Sequence, residues 1–137
     1  MGYLVLSAWV IQAAVGVSLA VTWWRRGRHG GRTVSAHVTA GAVAMAAWVT
    51  FVVTGSLVAA WAAFVVLTVG NGYGDEMLLG RVRSQTGSTS KRRNYRAAVA
   101  ALFRGQLPPR VAFHALFSGV VYFGCLGVCI AATASAL

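Results

Sequence analysis

The sequence predicts an all-α membrane protein: an up-down bundle of four transmembrane helices with both termini outside, forming a single domain over residues 1–137. Three observations predict it. First, 58% of the residues are apolar and only 10% are charged, whereas a soluble domain carries about 25% charged residues. Second, four apolar runs are long enough to cross about 30 Å of hydrocarbon, which takes about 20 helical residues. Third, all twelve basic residues lie between these runs.

The first two predicted spans cover residues 3–24 and 34–53. Trp23 and Trp24 close the first span, where an interfacial aromatic belt is expected. The loop between the spans carries four arginines and a histidine, namely Arg25, Arg26, Arg28, His29 and Arg32. A signal peptide places positive charge before its apolar stretch, whereas here the charge follows it. We therefore expect the first run to remain as a helix with its amino end outside.

The other two spans are predicted over residues 57–74 and 111–132, after a short uncharged turn at 54–56. The long segment between them, residues 80–110, is basic. Its eight cations are Arg81, Arg83, Lys91, Arg92, Arg93, Arg96, Arg104 and Arg110. The positive-inside rule assigns both basic segments to the cytoplasm. Arginine outnumbers lysine eleven to one, which is typical of a GC-rich bacterial genome, so we expect a multi-pass protein of a bacterial plasma (inner) membrane.

The basic segment 80–110 has two interpretations. Four apolar residues recur at helical spacing among arginines, namely Tyr95, Val99, Leu102 and Phe103. Pro108 and Pro109 would end such a helix before the last span. An amphipathic helix of this kind lies on the inner leaflet, where basic residues attract anionic lipid. The alternative is a solvated loop that is needed only for topology.

The positions of the basic residues also predict the binding partners of the chain. The net charge of +10 could suggest a nucleic-acid partner. Its confinement to the segments between apolar runs argues against nucleic acid. We expect contact with the lipid bilayer and with anionic lipid at the inner leaflet, and association with another membrane protein or with a second copy of the chain.

Small residues and one amide predict the faces on which the helices pack. Because an amide facing lipid is costly, we expect Gln12 to point inward. Its stripe in the first span is Ala8, Gln12, Gly16 and Ala20. The corresponding stripes of the third and fourth spans are Ala62, Val66, Gly70 and Gly74, and Ala115, Gly119 and Gly127. In an up-down bundle, the second and fourth spans lie diagonally.

Two histidines are the candidate cofactor ligands. His37 and His114 each lie three or four residues inside the cytoplasmic end of a span. On diagonal helices, their rings would meet at one depth, and haem iron takes two axial nitrogens from opposite sides. Two such histidines therefore suit haem b. The residues assigned to this site are His37 and His114 at the iron, Gly41 and Gly119 beside the ring, and Arg32, Arg81 and Arg110 at the propionates.

On these residues the chain resembles the cytochrome b561-like proteins, which are small four-helix b-type membrane cytochromes. The resemblance covers the four-span layout and the elements His37–Gly41 and His114–Gly119. It implies redox chemistry at the inner face, with a quinone or as a haem sensor. Family members commonly use two haems and more histidines, so a single pair at one depth does not imply transmembrane electron transfer.

A second cluster closes the third span. Its sequence is Gly70-Asn71-Gly72-Tyr73-Gly74-Asp75-Glu76, and it holds the only two acids of the chain. The glycines predict either close backbone approach or a broken helix end. Tyr73, Asp75 and Glu76 are candidate site residues, because the carboxylates could bind a cation, orient a histidine or exchange protons with a quinone. The plainer interpretation is ion pairing with Arg81 or Arg83.

Other functions remain open at this stage. The histidines could simply be polar residues near helix ends. The chain would then be a cofactor-free accessory or scaffold subunit of a membrane complex, or a small-solute transporter that acts as an oligomer. Cys125 and Cys129, four residues apart in the last span, are interpreted as small core residues.

Overall fold

A computed structural model describes residues 1–26 and 30–136, and this part of the chain forms five helices. They are α1 (Gly2–Arg25), α2 (Gly31–Thr54), α3 (Leu57–Thr86), α4 (Lys91–Phe103) and α5 (Pro109–Ala134). Among the described residues, α1, α2, α3 and α5 are long and apolar enough to cross a membrane. The chain is therefore a polytopic membrane protein. Arg28 and His29 of the predicted first loop lie outside the described residues.

The four long helices form a ring. α2 packs most extensively on α3, and α1 on α5, while smaller contacts join α3 to α5 and α1 to α2. This order makes α2 and α5 diagonal, as predicted for the second and fourth spans.

Neighbouring helices run antiparallel. The indole Nε1–H of Trp48, late in α2, donates to the Gly2 carbonyl at the start of α1, at 3.2 Å. The Nε1–H of Trp61, early in α3, donates to Thr133 Oγ1 near the end of α5, at 3.0 Å. Both termini and the α2–α3 turn therefore share one end of the bundle. The opposite end, where α1 and α3 finish and α2 and α5 begin, is called the basic end.

The core is an apolar cluster away from the basic end. Trp48 is fully buried and lies 6.0 Å from Trp9 between ring centroids. Cys125 and Cys129 are fully buried free thiols, which confirms their interpretation as core residues.

Helix α3 is longer than the span predicted over residues 57–74. It continues without a break through the glycine cluster to Thr86, and Gly87 ends it with a positive φ of 63°. A helical glycine costs only about 1 kcal/mol relative to alanine, so close packing against α2 can outweigh three of them. Val82 in the extension is 3% exposed. Part of the segment predicted as a basic loop is therefore helix.

The amphipathic helix considered for the basic segment is present as α4. The Ser90 side chain caps it by accepting from the Arg93 amide at 3.4 Å. Asn94 is fully buried between α3 and α4. Its Nδ2 donates to the Ser88 carbonyl at 2.8 Å, and its Oδ1 accepts from Thr86 Oγ1 at 3.2 Å. These two bonds attach the start of α4 to the end of α3.

Two of the predicted packing faces are rotated. Gln12 is buried as expected. In α3, however, Ala62 is exposed and the buried residues are Ala60, Ala63, Leu67, Gly70 and Val82. In α5, Gly127 is exposed and the buried residues are Val121, Cys125, Val128 and Cys129. A stripe spaced strictly by four drifts by about 40° per step around a helix of 3.6 residues per turn, so it leaves the packed face after two or three steps.

Candidate functional site

The bundle brings His37 of α2 and His114 of α5 together near the basic end. Their ring centroids are 6.1 Å apart, and their planes are inclined at 75°. Both residues are half-buried. The diagonal placement of α2 and α5 brings the two rings together edge-on across the bundle axis.

The glycine cluster of α3 holds His37. Its Nδ1 lies 2.8 Å from the Gly70 carbonyl oxygen. Because a carbonyl can only accept, Nδ1 carries the hydrogen, and Nε2 keeps the lone pair that can bind a metal. A Cβ built on Gly74 would lie 3.2 Å from Cε1 of His37. The glycines therefore produce the close backbone approach that was one of the two predictions for this cluster.

Helix α1 holds His114 differently. Gln12 Nε2 donates to the backbone carbonyl of His114 at 2.9 Å. A Cβ built on Gly16 would lie 3.1 Å from Cε1 of the imidazole. Within the described part of the chain, His114 Nδ1 and Gln12 Oε1 are buried atoms without a hydrogen-bond partner. Unpaired buried polar atoms cost about 1–3 kcal/mol each. The imidazole of His114 is therefore less completely hydrogen-bonded than that of His37.

The two imidazoles are fewer ligands than a protein zinc site takes. A closed zinc site takes four protein ligands and a catalytic one takes three. No group of three or more His, Cys, Asp or Glu residues able to hold a metal occurs in the described ranges 1–26 and 30–136. Haem supplies four nitrogens of its own and needs only axial ligands.

The separation of the ring centroids is close to that of two axial imidazoles, whereas the neighbouring backbones leave no open space for a macrocycle. Metal–imidazole bonds of about 2.0–2.1 Å place the centroids of two opposed axial rings roughly 6 Å apart, and the observed separation is 6.1 Å. The backbones at Gly16 and Gly74 already contact the rings. A planar macrocycle between the histidines would therefore require α1 and α3 to separate at its edges.

Two glycines that were not assigned to the site from the sequence, Gly16 and Gly74, lie beside the rings. An added Cβ at the assigned Gly41 or Gly119 would meet no atom within 4 Å. The spacing in the sequence could have identified them, because residues four apart lie on one helix face. Gly16 lies on the face of Gln12, and Gly74 lies on the face of Gly70.

The charged candidates lie at the rim. Arg32 and Arg110 are exposed in the first turns of α2 and α5, at the same end as the histidines. Tyr73, Asp75 and Glu76 are exposed on α3. The Gly70 carbonyl, rather than either carboxylate, orients His37.

The plainer interpretation of the acids accounts for Glu76. Its Oε1 lies 3.9 Å from Arg83 Nη2, and both side chains are about half exposed. Exposed ion pairs of this kind contribute about 0–1 kcal/mol.

No family model, no curated protein and no solved structure matches this chain. What the fold and the site show is a small polytopic membrane protein whose four spanning helices enclose a pair of histidines near one end.

Proposed function

We propose that this protein is a b-type cytochrome-like redox protein that binds one haem b through His37 and His114. One observation carries the proposal: two imidazoles from diagonal helices lie 6.1 Å apart between ring centroids. Polar groups inside a membrane bundle are costly, and they are functional candidates for that reason. Haem bound there would supply one-electron chemistry.

Several residues of the chain would together hold the haem. His37 offers Nε2, with its Nδ1–H on the Gly70 carbonyl. A ligating histidine commonly makes such a bond through its other nitrogen, which fixes the tautomer and raises its basicity. His114 offers the opposing ring, and Gln12 holds its backbone. Arg32 and Arg110, together with Arg81, would pair with the propionates at the rim.

The distribution of basic residues supports one orientation of the chain in the membrane. Every basic residue lies at the basic end or in the segments attached to it, so the positive-inside rule places this end in the cytoplasm and both termini outside. We infer a multi-pass protein of a bacterial inner membrane, with its basic end against the anionic lipid of the inner leaflet. Redox exchange with a quinone, or haem sensing, would then occur at that face, where Tyr73, Asp75 and Glu76 are exposed.

The absorption spectrum tests the proposal. The protein is expressed with haem supplied, purified in mild detergent and titrated with haem b. The expected result is a Soret band corresponding to one haem per chain, which His37→Ala and His114→Ala each abolish. His29→Ala is the matched control, because it removes the third histidine of the chain and should leave the band unchanged. A colourless wild-type protein from haem-replete cells would contradict the proposal.

A colourless protein would favour one of two other functions, which make different predictions. An accessory or scaffold subunit would co-purify with a membrane partner in mild detergent. An oligomeric transporter would show solute flux in liposomes, and that flux would fall in Asp75→Asn.

A further inference from the structure

Helix α4 carries an apolar strip that the rest of the chain leaves uncovered. Tyr95, Val99 and Phe103 follow one another at intervals of four and are 55%, 40% and 75% exposed. The opposite side of α4 buries Asn94 and Ala98 against α3. The helix is therefore amphipathic in an unusual sense, because its small residues face the protein and its large apolar residues face outward.

Basic residues share the outward side of this strip. Lys91 lies one turn before Tyr95 on the same side of the helix. Arg92 directly follows Lys91, and Arg96 directly follows Tyr95. All three side chains are exposed. Together with Leu79 of α3 and Tyr95, they line an open groove of about 710 Å³ between the end of α3 and the start of α4. The groove thus combines three cations with an aromatic ring and an aliphatic wall.

Among the described residues, no ion pair neutralises the cations of this groove. The only acids of the sequence are Asp75 and Glu76; Glu76 lies by Arg83, and in the described part of the chain neither acid forms an ion pair with a basic residue that lines the groove. Leu79 lies on α3 beyond the predicted span 57–74, so in the proposed orientation we place the groove near the lipid headgroups of the inner leaflet. A cationic groove beside an apolar strip at this level complements a phosphodiester headgroup with its acyl chains below.

We propose that α4 is a lipid-binding helix, in which Lys91, Arg92 and Arg96 bind the phosphate of an acidic phospholipid while Tyr95, Val99 and Phe103 lie in the interface of the same leaflet. An apolar strip of this kind is buried about 5–10 Å into the interface. The proposal is independent of haem, because it uses none of the residues around His37 and His114.

Lipid retention tests the site. Full-length protein is extracted into mild detergent, supplied with equimolar phosphatidylglycerol and phosphatidylcholine, and analysed by native mass spectrometry for bound lipid. We expect the wild type to retain phosphatidylglycerol preferentially. Each basic residue near a lipid surface contributes about fivefold to this attraction, so Lys91→Gln/Arg92→Gln/Arg96→Gln should lower the preference at least about tenfold. Phe103→Ser should lower the retention of both lipids.

The matched control removes equal charge from the same end of the bundle. Arg25→Gln/Arg26→Gln/Arg104→Gln changes three exposed arginines outside both the groove and the proposed haem site, and it should lower the preference several-fold less than the groove variant does. Circular dichroism and gel filtration establish that both triple variants are folded. An equal loss in the two variants, no preference in the wild type, or displacement of the lipid by inorganic phosphate would each overturn the proposal.

Discussion

At the scale of single residues, the candidate site is asymmetric. His37 is anchored through Nδ1 by the Gly70 carbonyl, whereas Nδ1 of His114 is buried without a partner in the described chain. Both rings are enclosed by glycine backbone, from Gly74 on one side and Gly16 on the other. The absence of Cβ atoms on the neighbouring helices therefore makes space for the imidazoles.

Gly16→Ala should lower the unfolding temperature in detergent, and Gly119→Ala should not. The added Cβ at residue 16 would lie 3.1 Å from Cε1 of His114, whereas at residue 119 it meets no atom within 4 Å. Overpacking costs about 1–3 kcal/mol, while the higher helix propensity of alanine contributes up to about 1 kcal/mol in the opposite direction. Equal unfolding temperatures for the two variants would show that His114 does not occupy this position.

Gln12→Leu should change stability by less than about 1 kcal/mol, because two effects oppose each other. The variant loses the bond to the His114 carbonyl, and hydrogen bonds between membrane helices average about 0.6 kcal/mol. It also removes the unpaired buried Oε1, whose burial is unfavourable. Thermal unfolding monitored by circular dichroism measures the sum. A loss of several kcal/mol would show that Oε1 has a partner, such as a buried water.

At the scale of elements, α3 and α4 decide the shape of the basic end. The glycine-rich stretch of α3 is continuous helix, because its small residues allow α2 to approach until Gly70 nearly touches Ala40. The same helix then extends beyond the predicted span and supplies the surface on which α4 packs. The basic segment is thereby ordered as a hairpin of two helices, which a solvated loop would not be.

Asn94→Ala should release α4 from α3. Asn94 is fully buried and bonded to Ser88 and Thr86, and each such hydrogen bond contributes about 0.5–1.5 kcal/mol. Trypsin should therefore cleave after Arg92, Arg93 and Arg96 several times faster than in the wild type. The exposed Gln85→Ala on α3 serves as the control and should be cleaved at the wild-type rate. Unchanged cleavage of the Asn94 variant would show that the two bonds do not hold α4.

At the scale of the whole molecule, the ring order α1, α2, α3, α5 determines which residues can meet. It makes α2 and α5 diagonal, and it places the start of α1, the end of α5 and the α2–α3 turn at the end opposite the basic residues of the described chain. The bundle is therefore polarised along its axis, and the histidine pair lies toward its positive end.

Labelling with a membrane-impermeant maleimide tests this polarity. Ser135→Cys, near the carboxyl terminus, should react in intact cells, and Thr89→Cys, between α3 and α4, should react only after permeabilisation. Both positions are exposed, and the native Cys125 and Cys129 are buried, so the wild type provides the unlabelled baseline. Labelling of Thr89→Cys from outside would reverse the orientation and remove the cytoplasmic location from both proposals.

The sequence by itself determined that this is a membrane protein, where its spanning helices lie and that Gln12 points inward. These properties depend on the cost of placing charged and polar groups in hydrocarbon, which acts residue by residue and can be read without knowing any partner. Only the tertiary structure decided the partners of the histidines, the full length of α3 and the packed faces of α3 and α5. His37 bonds to a residue 33 positions away, and the carbonyl of His114 bonds to one 102 positions away. Such contacts depend on how each helix is rotated about its axis, which is set by the packing of all four helices together.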